Sequence, residues 1–193
     1  HFPSVDAAVQ TTIEVIQMGV PIARCELLDA NAVRAVNQHD KLTLREAPML
    51  LMEFHGSEAG VKEQAEVVQS LAAEHGGEGF QWATTPEERT KLWAARHRAY
   101  FAGMTINPGC RTVTTDTCVP ISKLAECIGL AVTQANEAGL PHYIVGHVGD
   151  GNFHVLVLFD KDVPAEIAAT EAFVERLNAR ALSMDGTCTG EHG

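Results

Sequence analysis

The chain has no C-x-x-C pair, although it carries five cysteines (Cys25, Cys110, Cys118, Cys127 and Cys188). An odd count without paired spacing argues against a disulfide framework and an all-cysteine zinc site, and it suits a reducing compartment. No Lys/Arg cluster occurs either. Fourteen basic residues face 25 acidic ones, a net charge of −11, which argues against a nucleic-acid partner. No apolar run approaches the roughly 18 residues that mark a membrane-spanning helix. Neither G-x-G-x-x-G nor G-x-x-x-x-G-K-[ST] is present, so a nucleotide cofactor would have its phosphates bound by other means. An initiating Met and a targeting segment are also missing. The sequence stops among polar residues at Glu191-His192-Gly193, as expected of a piece cut from something longer.

What is present is an ordinary globular composition. The 193 residues are 46% apolar and 20% charged, enough for one well-filled core. Helical spacing runs over Val5–Met18 behind Ser4, and from Ser57 to about His75. Thr85-Pro86-Glu87-Glu88 forms a capping box with Pro at the first helical position, opening a helix through Ala102. Further helices are expected from Asp29 to Val36, over Pro120–Gly139 and over Pro164–Met184. Strands are expected at Pro21–Leu28, Ala47–His55, Gly79–Ala83 and Thr112–Val119. Strands separated by helices, with one tight hairpin, predict an α+β fold: a mixed, mainly antiparallel sheet with helices packed against it, in a single unit spanning 1–193.

The hairpin is Tyr143–Asp160, YIVGHVGDGNFHVLVLFD. Asp150-Gly151 between runs of β-branched and aromatic residues predicts a two-residue turn. That register sets His147 directly opposite His154, with Cβ atoms about 5 Å apart. Two imidazoles so placed can close on one divalent cation. Among apolar neighbours, burying them together is costly unless something pairs them. The final residues, Thr187 to Gly193, add Glu191 as a third ligand and His192 as a base.

Other readings of the same residues stay open. The Gly-Asp-Gly-Asn run has the composition of any turn, and a histidine pair is often structural. Arg96 on an amphipathic helix is commonly a solvated charge, and Glu191-His192 also reads as a disordered tail. By ligand count alone, two histidines and a glutamate also suit a zinc hydrolase with a metal-bound water, or a non-catalytic metal-stabilised module.

Taken together, GHVGDGNFH, GTCTGEHG and the LWAARH helix resemble the C-terminal substrate domain of the flavin-linked D-2-hydroxyacid dehydrogenases, flavoproteins of the vanillyl-alcohol-oxidase type. The stretches PGCRTVTTDTCVPIS, CELLD and LMEFHGS are similar to the cytochrome-linked D-lactate subgroup, and the likeness covers essentially the whole chain. It implies that His147, His154 and Glu191 bind Zn²⁺ or Mn²⁺ and that His192 is the active-site base. It implies that Arg96 pairs with the substrate carboxylate and that Asn152 lies near substrate and flavin. FAD would be bound mainly by a domain absent from this sequence, and the chain alone would be inactive. Relatives acting on dicarboxylates carry a lysine in the strand matching Thr112–Asp116. None is present here, which favours a short monocarboxylate such as lactate. The resemblance also implies an electron acceptor such as cytochrome c or a quinone-linked carrier. The expected location is the cytoplasm or the periphery of an inner membrane, mitochondrial in a eukaryote.

Overall fold

The computed structural model describes residues 1–107 and 109–189, apart from the side chains of Lys91, Ala95 and Ile106. Six α-helices and seven strands alternate along them. Helix α1 (Val5–Gln17) starts where Ser4 Oγ accepts from Ala7 N–H, satisfying one of the donors that a helix start leaves open. Strand β1 (Ile22–Leu28) runs into Asp29, whose carboxylate caps α2 (Ala30–Asp40). Strand β2 (Met49–Phe54) precedes α3 (Glu58–Glu74), and the Thr85/Glu88 capping box opens α4 (Pro86–Ile106). Then come β3 (Arg111–Thr114), β4 (Thr117–Cys118), a 3-10 turn and α5 (Leu124–Glu137). The chain finishes with β5 (His142–Gly146), β6 (Asn152–Phe159), α6 (Pro164–Ser183) and β7 (Thr187–Cys188). No helix among the described residues is long and apolar enough to cross a membrane.

The strands form one sheet in the order β2-β1-β5-β6-β4-β7, with β3 also on β6. Every pairing is antiparallel, as expected of an α+β layer. Side chains alternate between faces along each strand, and helices cover both. One face carries Leu27, Ile144, Phe153 and Val155 beneath α1, α5 and α6, which contribute Val9, Ile128, Phe173 and Leu177. The other carries Leu28, Tyr143, Val145, Leu156 and Leu158 beneath α2 and α4, with Val33, Val36, Trp93 and Ala99. Each such large apolar side chain contributes about 1.5–3 kcal/mol by leaving water. Helix α4 lies very close to β5. A Cβ at Gly103 would fall 1.8 Å from Tyr143 Oη, so only glycine permits this approach.

Two expected strands differ from expectation. Gly79–Ala83 is not a strand: Gly79 has φ +69°, and the Phe80 and Trp82 rings meet tilted at 56°, 5.0 Å apart, instead of joining a ladder. Thr112–Val119 is not continuous but split into β3 and β4 at Thr115-Asp116. Helices α2 and α4 also run further than their apolar spacing marked, to Asp40 and Ile106.

Candidate functional site

The hairpin forms, but not with a two-residue turn. Val145, rather than His147, lies opposite His154, so the register is displaced by two residues. After β5 the chain makes a 3-10 turn at Val148–Asp150, which keeps Val148 in the core and lets Gly151 C=O accept from Val119 N–H at 3.0 Å. Gly151 (φ +78°) is obligatory there, since a Cβ would meet Val119 O at 2.2 Å. A slip of one residue would have sent the two histidines to opposite faces, whereas a slip of two preserves the face. His147 and His154 therefore still meet, edge to face, with ring centres 6.1 Å apart at 86°.

Both rings lie on the α2/α4 face, at the end where the helices stop covering the strands. There β1 supplies Glu26, which is only 2% exposed. Its Oε1 accepts from His147 Nδ1 at 2.5 Å, and its Oε2 accepts from Arg96 Nε at 2.9 Å. Arg96 is thus a partly buried partner of the sheet rather than a solvated charge. Helix α4 is seated by Trp93, over whose ring the Arg24 guanidinium lies at 4.6 Å.

The second half of the site is built at the gap between β3 and β4. Thr115 N–H donates to Val155 O as a ladder should, but the return bond from Val155 N–H goes to Thr115 Oγ1 at 3.0 Å. The hydroxyl stands in for the carbonyl, and the released Thr115 C=O accepts from His154 Nδ1 at 3.0 Å. Burial, the largest influence on His154, holds its pKa below the ordinary value and favours the neutral ring. Asp116 Oδ1 accepts from Asn152 Nδ2 at 2.8 Å and lies 3.5 Å from His154 Nδ1. Its other oxygen accepts from Thr189 Oγ1, and its backbone carbonyl accepts from Thr189 N–H. Strand β7 thereby brings the chain to the hairpin's flank. Glu191 and His192 lie outside the described residues.

Two of the described side chains, His147 and His154, could contribute nitrogens to a divalent metal. Each imidazole turns Nδ1 toward an acceptor, which places the proton there and the lone pair on Nε2, the arrangement usual for metal-ligating histidines. A ligating nitrogen sits about 2 Å from its ion, so two ring centres can lie up to roughly 6.5 Å apart around one ion. The observed separation is near the outer end of that range. No group of three metal-ligating side chains occurs among the described residues, and Glu191, the expected third ligand, lies beyond them. His147 is 49% exposed at its side chain, so the cluster opens to solvent at the strand ends.

Arg96, His147, His154 and Asn152 are therefore gathered at one end of the sheet through the series Arg96–Glu26–His147–His154–Asp116–Asn152. Glu26, Thr115 and Asp116 were not singled out from the sequence. The available signal was a carboxylate inside an apolar strand (CELL) and another inside a Thr/Val strand (TVTTDTCV), each of which needs a partner if buried.

The family described as FAD linked oxidases, C-terminal domain, matches residues 1–193. The chain belongs to that family. It is 45% identical over 192 residues to a probable mitochondrial D-lactate dehydrogenase of Danio rerio, covering 100% of this chain and 39% of that protein. It is 39% identical over 193 residues to the mitochondrial D-lactate dehydrogenase [cytochrome] of Arabidopsis thaliana, covering 100% and 34%. The glycolate oxidase subunit GlcD of Escherichia coli (strain K12) is 28% identical over 194 residues, covering 100% and 38%. The chain thus spans about two fifths or less of the curated relatives it matches. Among solved structures, 4-ethylphenol oxidase from Gulosibacter chungangensis in complex with isoeugenol superposes with TM-score 0.66 at 14% identity, covering 96% of this chain and 43% of that one. An alkyldihydroxyacetonephosphate synthase superposes with TM-score 0.62 at 12% identity, covering 98% and 40%. Those likenesses establish the shared fold. The family assignment speaks for the flavin-linked reading and lends the zinc-hydrolase reading no support.

Proposed function

We propose that this chain is the substrate- and metal-binding domain of a flavoprotein that oxidises D-lactate to pyruvate. The observation that carries the reading is the guanidinium and the two pinned imidazoles gathered at one open end of the sheet, in a member of the FAD linked oxidase family. The relatives named as D-lactate dehydrogenases, and the absence of lysine from Thr112–Asp116, support a monocarboxylate.

Oxidising a 2-hydroxyacid removes a proton from the hydroxyl and a hydride from the adjacent carbon. Arg96 holds the substrate carboxylate in two parallel bonds, which fixes the face presented for reaction. His147, His154 and Glu191 would hold a divalent cation, Zn²⁺ or Mn²⁺, which would supply Lewis acidity toward the substrate hydroxyl. His192 accepts the hydroxyl proton as a neutral imidazole, whose ordinary pKa of about 6.5 suits that task near neutrality. The Asn152 side chain, its nitrogen committed to Asp116 and to Thr117 C=O at 3.2 Å, offers its carbonyl oxygen beside the substrate and flavin. FAD, bound mainly outside this chain, supplies the hydride acceptor. A carrier such as cytochrome c would accept the electrons from it, in the mitochondrion where the organism is a eukaryote.

The test uses the flavin-containing protein under anaerobic conditions. D-Lactate should bleach the flavin absorbance and L-lactate should not. A chelator should abolish the reaction, and Mn²⁺ or Zn²⁺ should restore it. Arg96→Lys, which keeps the charge but loses the fork, should lower kcat/KM on the order of a hundredfold. Unchanged bleaching after chelation would remove the metal from the scheme, and equal bleaching by both lactates would remove the stereochemical role of Arg96.

A further inference from the structure

We propose that Glu26 is a positioning residue, one buried carboxylate that sets both the tautomer of His147 and the direction in which the Arg96 guanidinium faces its anionic ligand. The inference rests on the functional reading above and deepens it.

The geometry assigns each oxygen of Glu26 a separate task. Oε1 takes the His147 Nδ1 proton at 2.5 Å, and Oε2 takes the Arg96 Nε proton at 2.9 Å. With Oε2 accepting from the Arg96 guanidinium, Oε1 is placed as the acceptor for His147 Nδ1, which therefore donates. In the neutral ring the lone pair is then on Nε2, which has no partner among the described residues and is the nitrogen available to a cation. On Arg96, the bond to Glu26 uses the Nε edge. The two terminal nitrogens donate to no described residue, so the Nη1/Nη2 edge remains for a bidentate carboxylate.

Burial makes the arrangement rigid. Glu26 is 2% exposed and Arg96 14% exposed at their side chains, so bulk solvent hardly reaches the pair. The carboxylate sits on a central strand between β2 and β5, so its position is set by the sheet rather than by a loop. One side chain therefore ties the metal half of the site to the substrate half. A merely structural ion pair between β1 and α4 would need Arg96 alone and would leave the His147 contact without a purpose.

Glu26→Gln separates the two tasks, because an amide has only one oxygen. If that oxygen keeps Arg96, the NH₂ group faces His147 Nδ1 and forces the proton to Nε2, the wrong nitrogen for a metal. If it keeps His147, two donors face each other and the guanidinium must turn away. In the flavin-containing protein, Glu26→Gln should weaken Mn²⁺ or Zn²⁺ binding ten- to a hundredfold, or raise KM for D-lactate while the flavin spectrum stays unchanged. A readout independent of turnover comes from wild-type protein with ¹⁵N-labelled histidine, the His147 signals being identified by their loss in His147→Gln. Protonated Nδ1 with unprotonated Nε2 in the metal-free protein supports the proposal. The Nε2–H tautomer overturns it, whether or not Glu26→Gln folds. Unchanged metal affinity and unchanged KM in a folded Glu26→Gln protein overturn it as well. Should wild type bind neither Mn²⁺ nor Zn²⁺ yet keep the Nδ1–H tautomer, the metal-dependent reading falls while the positioning role of Glu26 stands.

Discussion

Two carboxylates three residues apart, Glu26 in β1 and Asp29 just after it, are both nearly inaccessible, at 2% and 6% exposure. They are stabilised in opposite ways. Glu26 is held by two side chains that bring positive charge or a ring N–H. Asp29 is held chiefly by backbone: as the cap of α2 it accepts from Ala32 N–H at 2.7 Å. Backbone donors suffice to start a helix but not to offset the burial of a charge. Burial accordingly pushes the Asp29 carboxyl up to about 7, against the opposing pull of its N–H donors. The difference separates a carboxylate that organises other groups from one that organises only its own chain. On the α2/α4 face Asp29 caps its own helix while Glu26 joins Arg96 to His147, within a single strand and its cap.

The largest effect should come from breaking the side-chain-held carboxylate. Arg96→Met removes the guanidinium while leaving Glu26 buried, and breaking a buried pair from one side costs about 3–5 kcal/mol. Denaturant unfolding of the purified protein should show that loss. The double variant Glu26→Gln/Arg96→Met, which removes the charge as well, should recover a large part of it. If both variants lose the same amount, α4 is held by packing at Trp93 and Gly103, and the ion pair is incidental.

The backbone-held carboxylate should respond to pH instead. Its folded pKa lies above the ordinary 3.8, so the folded state binds the proton more tightly than the unfolded chain. This contribution to stability is therefore fully present below about pH 4 and is lost as pH rises toward 7, with a slope on the order of 1.4 kcal/mol per pH unit. Asp29→Asn keeps a good cap and has no charge to bury. It should match wild type near pH 4 and exceed it by a few kcal/mol at pH 8, as read from unfolding curves at the two pH values. Parallel curves for the two proteins would mean that Asp29 stays ionised throughout.

The contrast also shows what a sequence can and cannot disclose. The Ser4, Ser57 and Thr85 caps, the apolar stripes of the helices and the turn glycines are local signals, and the elements lie close to where those signals put them. The α+β sheet followed from the alternation of these elements. Pairing partners are not local. His147 and His154 were legible as a pair, but their register was not, because the turn length depends on Val148 reaching the core and on Gly151 reaching Val119. Glu26 carries the same two letters of context as any strand residue, and its importance appears only when α4 delivers Arg96 from 70 residues away. The family resemblance named Arg96 and both histidines but passed over the carboxylate that joins them.

The smallest effect concerns the neutral counterpart of Glu26. His147 is fixed by a charge and His154 by a carbonyl freed from the ladder, so the second device should be weaker and more local. Thr115→Val keeps the shape but deletes the hydroxyl that accepts from Val155 N–H, leaving a buried donor unsatisfied at a cost of about 1–3 kcal/mol. Thr115→Ser retains the hydroxyl and should cost less than half as much. Hydrogen exchange at the Val155 amide distinguishes the outcomes, since the bond to Thr115 Oγ1 is its link across the β3–β4 gap. Accelerated exchange in Thr115→Val but not in Thr115→Ser is expected. If Val155 stays protected in both, the Thr115 carbonyl has swung back into the ladder. The bond from His154 Nδ1 to that carbonyl would then be broken, and the orientation of the His154 ring should change with stability intact, a result that would tie the histidine's setting to the ladder around it.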